Sequence, residues 1–579
     1  MKHRFLALWI LALVGLSIFI PQTITHAATV TYTSCPSFST LETDASTPGT
    51  ITFNVVGGCT IVFDNEIYIN HALTIINIGD EVIFDGDDFT YHFDIDTGGN
   101  LTLNNLVLYN GYGEDAGSIF NMGVLTATDS VFDYNYSDYD GGAIYNCCGT
   151  VTLTNTNFTD NEAYYDGGAI YNSGGTVTIT GGLFDINYAD EYGGAIANDG
   201  SLSVTGAHFE NNEVEYEYGG AIYNYDGSLI VTDSTFEGNY ADIGGAIAQE
   251  YGTTTITGSS FYDNYAGDGG AVNNDYGDMT IIQSSFYNNE ASYGAALYNY
   301  DGAYTDVYNS TFYSNYAYTE GGAIYNHGAT LVLTHVTIAN NISDGDGDTT
   351  YEEDSNTTFT ASIIAGGDCY LDGGAITDGG NNIQFNAAGC VGTNTDPMLG
   401  AFTNGVIVPV DGSPAIDAMP VCLLPDDQLG TARPQGAGCD IGAIEGGGGF
   451  VVPIPVDEGP IVIGCVFDTP SGMSLSNVPD NTYCTVLMKN GNVINYSGAV
   501  PAELIGLGVI FAVDVYRLEG GRSIVEFPDY GRVCLRGNGR MFYMDARNAP
   551  RYAIEMPTEE YDGMTCAWIP AAGTLILTN

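Results

Sequence analysis

Apolar and polar positions alternate along most of this chain, in short runs bounded by glycine. Thr176-Val-Thr-Ile-Thr180, Ser201-Leu-Ser-Val-Thr205 and Thr253-Thr-Thr-Ile-Thr257 show the alternation with β-branched enrichment, the pattern of a half-buried strand. No stretch keeps a 3.6-residue apolar period over two turns, and so much glycine would weaken any helix. The strands recur in a larger pattern. A phrase resembling Gly-Gly-Ala-Ile-Tyr-Asn begins at Gly141, Gly167, Gly193, Gly219, Gly244, Gly269, Gly294 and Gly321, at intervals of 25 to 27 residues. A second phrase, Phe-x-x-Asn, sits in phase between them, from Phe132 and Asn135 to Phe312 and Asn315. A weaker copy starts at Ala116, and Gly373-Gly374-Ala375-Ile376 lies 52 residues after Gly321, two further periods.

A fixed period of this length means a solenoid. Strand-type segments make it an all-β, right-handed parallel β-helix, with about three short strands per coil and coils ~4.8 Å apart. Like residues then pile above one another. The Phe of each Phe-x-x-Asn and the Ile or Val of each Gly-Gly-Ala-Ile are expected to fill the core, at about 1.5–3 kcal/mol per buried side chain. The glycine pairs permit turns that other residues would strain. The repeated Asn is expected to cap a turn, bonding backbone or the Asn one coil away. This structural role is favoured over any catalytic one.

The period divides the chain. Residues 1–27 carry Lys2 and Arg4, an apolar run from Phe5 to Ile20 and small residues up to Ala27, the order of a secretory signal peptide. The run is shorter than the ~20 residues that span a bilayer, so export with cleavage near Ala27 is expected, with no membrane span in the mature chain. Residues 28–115 read as an N-terminal cap and irregular first coils, 116–345 as regular repeats, and 346–445 as last coils and a closing segment. Residues 446–460 read as a Gly/Pro linker, and 461–579 as a small, disulfide-bearing all-β domain.

Charge separates the same regions. From Ala28 to Gly449, 57 acidic residues face Arg433 alone, whereas residues 450–579 carry 14 acidic and 8 basic residues. A field of that sign repels nucleic acid and anionic lipid and attracts cations. Nucleic-acid binding is excluded. Twelve cysteines in an exported chain point to disulfides. Local pairing joins Cys35 to Cys59, Cys369 to Cys390 and Cys422 to Cys439, and leaves the connectivity of Cys465, Cys484, Cys534 and Cys566 open. Cys147 and Cys148, being adjacent, form a strained ring or stay free.

The paired Gly-Gly-Ala-Ile and Phe-x-x-Asn motifs resemble the repeats of the polymorphic outer membrane proteins, β-helical bacterial surface adhesins, over roughly residues 116–345. That resemblance implies an exposed passenger that contacts other surfaces. The final ~120 residues are too short and too Cys-rich for the membrane barrel that would translocate such a passenger. Gly430-Thr-Ala-Arg-Pro434 through Gly438-Cys-Asp-Ile-Gly-Ala-Ile-Glu445 resembles the closing segment of choice-of-anchor β-helix proteins, which implies attachment to a surface.

Catalytic chemistry is harder to find. A polysaccharide lyase acting on uronates wants Arg or Lys near the abstracted proton, and the helical body has neither before Arg433. A glycoside hydrolase needs only a carboxylate pair, and no pair stands out among so many. Asn394-Thr395-Asp396 matches one short motif of polygalacturonase-like enzymes, without the accompanying elements. No catalytic residue is assigned. Calcium is the better ligand expectation: Asp344, Asp346 and Asp348, followed by Glu352, place hard oxygens on alternate positions of a flexible loop, though the spacing is not that of an EF-hand. Exposed Tyr such as Tyr164-Tyr165, Tyr216 and Tyr218, and Tyr298 and Tyr300, suit stacking on sugars or protein surfaces. The resulting reading is a surface or secreted binding scaffold, adhesin-like and non-catalytic, for an unidentified carbohydrate or protein ligand. A carbohydrate-active enzyme on the same fold is the alternative. The sequence names neither the anchor nor the oligomeric state.

Overall fold

A computed structural model describes residues 28–446 in full and, beyond them, only strands between Val462 and Thr578. The expected signal peptide, and the expected linker beyond Gly446, lie outside the described residues.

Each regular turn holds four short strands. In the turn that begins at Gly141 they are Ile144–Cys147, Thr150–Thr154, Asn157–Thr159 and Glu162–Ala163. Each pairs in parallel with its counterpart one turn on, so Ile144 meets Ile170, Val151 meets Val177, Phe158 meets Phe184 and Ala163 meets Ala189. The body is a parallel β-solenoid of about 13 turns. Its three sheets have 26, 15 and 10 strands, the first two strands of every turn sharing the largest. Three strands per coil were expected and four are found, because a bend at residues such as Gly149 splits one sheet's contribution in two.

The glycine pair has a division of labour. Gly141 has φ +65°, and a Cβ on Gly142 would lie 2.0 Å from the Gly168 carbonyl of the next turn. The first glycine supplies a left-handed bend and the second a close backbone approach. Inside, the Phe rings from Phe132 to Phe312 stack face to face at centroid spacings of 4.7–4.9 Å. Burying one such ring per turn, beside columns such as Ile144 and Val151, supplies the main stabilisation.

Two buried amide ladders run through the same core. Asn161 Nδ2 donates to the Phe132 carbonyl at 3.0 Å and to Asn187 Oδ1 at 2.9 Å, and the Asn161 backbone N–H shares that acceptor. This is the expected role of the Phe-x-x-Asn residue. The Asn that closes each Gly-Gly-Ala-Ile-Tyr-Asn phrase forms the second ladder: Asn146 donates to Asn172, Asn172 to Asn198 and Asn198 to Asn224, at 2.6–2.7 Å. The amides buried there are satisfied by their copies in neighbouring turns.

The ends are closed. At the start, Ser37 caps the helix Phe38–Ala45, which buries Phe38, Leu41 and Ala45, and Cys35 bonds Cys59. At the other end Cys369–Cys390 and Cys422–Cys439 form, so all three local pairings hold. Cys147 and Cys148 are free thiols. The segment after Asp396 folds back over the Phe strands' outer surface: Phe402 stacks on Tyr313 at 4.3 Å, and Gln428 accepts from Thr311 and donates to the Ser284 carbonyl. The Arg433 side chain is fully buried and holds this segment together. It meets Glu445 at 2.8 Å and donates to the carbonyls of Asp426, Gly442 and Ala443.

The strands between Val462 and Thr578 pair antiparallel, in sheets of eight and four. Disulfide connectivity among Cys465, Cys484, Cys534 and Cys566 lies outside the described residues. Among the described residues no helix is long and apolar enough to cross a membrane.

Candidate functional site

The period-two geometry of a strand that turns Ile144 and Asn146 inward turns Tyr145 outward. Register then lines up Phe120, Tyr145, Tyr171, Ala197 and Tyr223 along one outer face. After Ala248 and Asn273 the same column resumes with Tyr298, Tyr325, Tyr351 and Tyr370. Neighbouring rings meet, stacked at 5.3 Å for Phe120 on Tyr145 and 5.0 Å for Tyr325 on Tyr351, and edge-on at 5.2 Å for Tyr145 against Tyr171. Where Ala197 interrupts the column, Tyr192 from the adjoining turn lies on Tyr223 at 4.7 Å.

Carboxylates interleave with these phenols. Tyr171 donates to Asp199 at 2.7 Å, Tyr223 to Glu250 at 3.0 Å and Tyr325 to Glu353 at 2.6 Å, each to an acid in the following turn. The same device occurs elsewhere on the surface, in Tyr276 with Asp301 and Tyr262 with Glu237. A phenol that donates to a carboxylate stabilises its charged form without cancelling the charge, in a body with no Lys or Arg between Phe5 and Ala432.

Two patches of the face concentrate charge. Around Tyr171, burial and the nearby Asp140, Glu191 and Asp199 push the Asp166 carboxyl up to about 8, and burial raises Asp140 to about 6. Asp166 Oδ1 is buried and has no hydrogen-bond partner. Around Tyr298, burial raises Asp268 and Asp275 to about 6, with Asp242 adding to the first and Glu250 to the second. Asp275 Oδ1 and Asn273 Oδ1 are likewise buried without partners. Each patch joins ring faces to buried oxygens without protein partners, the equipment for a hydroxyl-rich or cationic ligand.

The other Tyr singled out in the sequence fall into three settings. Tyr164 and Tyr216 are among the exposed rings, Tyr164 meeting Tyr165 edge-on at 4.9 Å. Tyr218 stacks on Tyr192 at 5.9 Å. Tyr298 and Tyr300 stack at 5.7 Å within the aromatic column.

The expected calcium ligands are distributed. Asp344 and Asp346 are exposed; Asp344 accepts from the Tyr316 hydroxyl, and Asp348 accepts from the Ser343 N–H and hydroxyl. Glu352 is fully buried. It occupies the Asn position of the second amide ladder, one turn after Asn326, and one carboxylate oxygen accepts from Asn326, Ser355 and Thr357 at 2.6–2.9 Å. Burial raises its carboxyl above the ordinary range, against the pull of those donors. Its register was readable in Thr350-Tyr351-Glu352 set against Ile324-Tyr325-Asn326. The phenol–carboxylate pairs left no such trace, since their partners are set by turn geometry.

The repeats match a known family. Residues 129–147, 155–173 and 309–327 match the Chlamydia polymorphic membrane protein (Chlamydia_PMP) repeat. Each matched span runs from just before a Phe strand to the end of the next Ile-Tyr-Asn strand, so the match covers the Phe and Asn columns together. No curated protein and no solved structure matches the chain.

Proposed function

We propose that the chain is an exported, surface-exposed or secreted β-helical scaffold, adhesin-like, that binds a carbohydrate or protein ligand through its outer Tyr and carboxylate face. The observation that carries this reading is the outer column itself. Aromatic rings and acids extend over many turns, from Phe120 to Tyr370, rather than meeting at one centre. The polymorphic membrane protein match supports a surface location. The test is binding of labelled mature protein to cells and to a polysaccharide panel. Replacing Tyr145 and Tyr171 by Ser should reduce binding at least tenfold, while a pair away from the column, Thr178→Ala with Ser203→Ala, leaves it unchanged. Equal binding by both variants would remove the face from the account.

One observation favours the second reading, a carbohydrate-active enzyme. Burial and the nearby Asp140, Glu191 and Asp199 push the Asp166 carboxyl up to about 8, toward the protonated form that a general acid of a glycoside hydrolase uses. Its Oδ1 has no hydrogen-bond partner. Release of reducing ends or unsaturated products from a polysaccharide panel, abolished by Asp166→Asn, would establish it. Calcium is proposed at the loop carrying Asp344, Asp346 and Asp348, with Glu352 committed to the core. A melting temperature unmoved by excess EDTA would rule that cation out.

A further inference from the structure

The outer side of the Phe strands carries a group of different chemistry. His208 and Glu210 are two residues apart on the strand His208–Glu210 and so point to the same side. Glu237 follows one turn on, in register with Glu210. One ligand atom from each of the three lies within 4.8 Å of the other two, and among the described residues no other three His, Cys, Asp or Glu side chains are so placed. His208 Nε2 is 3.2 Å from Glu210 Oε2 and 3.9 Å from Glu237 Oε2. Two ligands bound tetrahedrally at about 2.0–2.2 Å lie about 3.3–3.6 Å apart, so little movement is needed to close on a cation.

The surroundings favour one. Asp185 is the register partner of Glu210 from the preceding turn, so Asp185, Glu210 and Glu237 stack in a single column. Like charges in directly opposed positions destabilise a sheet, and no Lys or Arg lies between Phe5 and Ala432 to offset them. The Tyr262 hydroxyl donates to Glu237 at 2.5 Å, fixing that carboxylate as outer partners fix metal ligands. His208 Nδ1 makes no hydrogen bond, so the polar contacts of the ring all point at the two Glu. The site is separate from the aromatic column, on another sheet of the same turns.

We propose that His208, Glu210 and Glu237 bind one divalent transition cation of the zinc, cobalt or manganese class, with solvent or Asp185 completing the coordination. An imidazole nitrogen among carboxylates selects these ions over calcium and magnesium, which take oxygen alone. The cation ties two successive turns together across the acid column.

The experiment titrates the EDTA-treated full mature chain with Co²⁺, following its ligand-field absorption and the melting temperature. One equivalent should bind, raise the melting temperature and be displaced by Zn²⁺. His208→Gln and Glu237→Gln should each abolish the one-equivalent band, and Tyr262→Phe should weaken binding by about tenfold. A Cys147→Ser/Cys148→Ser variant should bind as the parent does. Absence of a one-equivalent band would overturn the proposal. So would a band unchanged in His208→Gln, which marks adventitious binding to the acidic surface, or one lost with the two thiols. Circular dichroism identical to the parent certifies each variant, and Glu210→Gln serves if one of the others misfolds.

Discussion

The two sides of one strand obey opposite rules. On Ile144–Cys147 the inward residues recur in register as Ile170 and Asn172, then Ile196 and Asn198. The outward residue reads Tyr145, Tyr171, Ala197, Tyr223, Ala248 and Asn273 through successive turns. Inside, each side chain is its neighbour's packing surface or hydrogen-bond partner, so a change in one turn is felt in two others. Outside, the next turn imposes little. Fold is therefore written in what repeats, and the chemistry that distinguishes one turn from another is written in what does not.

Interior changes should break the molecule hardest. Phe236→Ala removes one ring from between Phe209 and Phe261 and should cost about 3–5 kcal/mol, measured by denaturant unfolding. Arg433→Met leaves Glu445 charged and buried in the closing segment and should also cost about 3–5 kcal/mol. Asn224→Ala removes the side-chain acceptor of Asn198 Nδ2, which keeps only its bond to the Gly200 carbonyl, with an expected loss of about 1–3 kcal/mol. Should Asn224→Ala prove neutral, the amide ladder would be dispensable to the fold.

The outer face should instead reveal itself through pH. Asp166, raised to about 8, and Asp140, Asp268 and Asp275, raised to about 6, hold protons more tightly in the folded chain than in the unfolded one. Their stabilisation is present at low pH and is lost as pH rises through those values. His92 and His335, lowered by burial to about 4 and about 3, act oppositely: what they contribute is lost as pH falls below the ordinary histidine value. Melting temperature should therefore rise from about pH 8.5 to about pH 6.5, where His protonation begins to oppose the acids. A flat profile there would mean that the acids are better solvated than the geometry shows. Smallest of all, Tyr171→Phe removes one exposed hydrogen bond to Asp199 and should cost under about 1 kcal/mol.

Much of this was legible in the sequence because stacking copies it. The phase between Phe132 and Gly141 gave the turn, equal spacing gave the Phe column and the first amide ladder, and nearness along the chain gave the three local disulfides. The second ladder was equally periodic, but its Asn sat inside a phrase already explained by its glycines and Ile. Glu352 was assigned to a loop by its acidic neighbours, although its register put it in the core. Tyr171 with Asp199 and His208 with Glu237 join residues 28 and 29 apart, through side-chain direction on particular turns. Alternation gives the side of the strand and not the neighbour that a long side chain reaches.

The central claim is that one turn is interchangeable with the next. Deleting residues 141–166, a whole period, joins Asp140 to Gly167 and keeps every column in register. Deleting 141–153, half a period, brings the Phe strand Asn157–Thr159 where the Ile-Tyr-Asn strand belongs. Thermal unfolding of the two variants, followed by circular dichroism, compares them directly. The whole-turn deletion should unfold as cooperatively as the parent, within a few degrees of its melting temperature, while the half-turn deletion loses the transition. Equal damage by both would contradict the account.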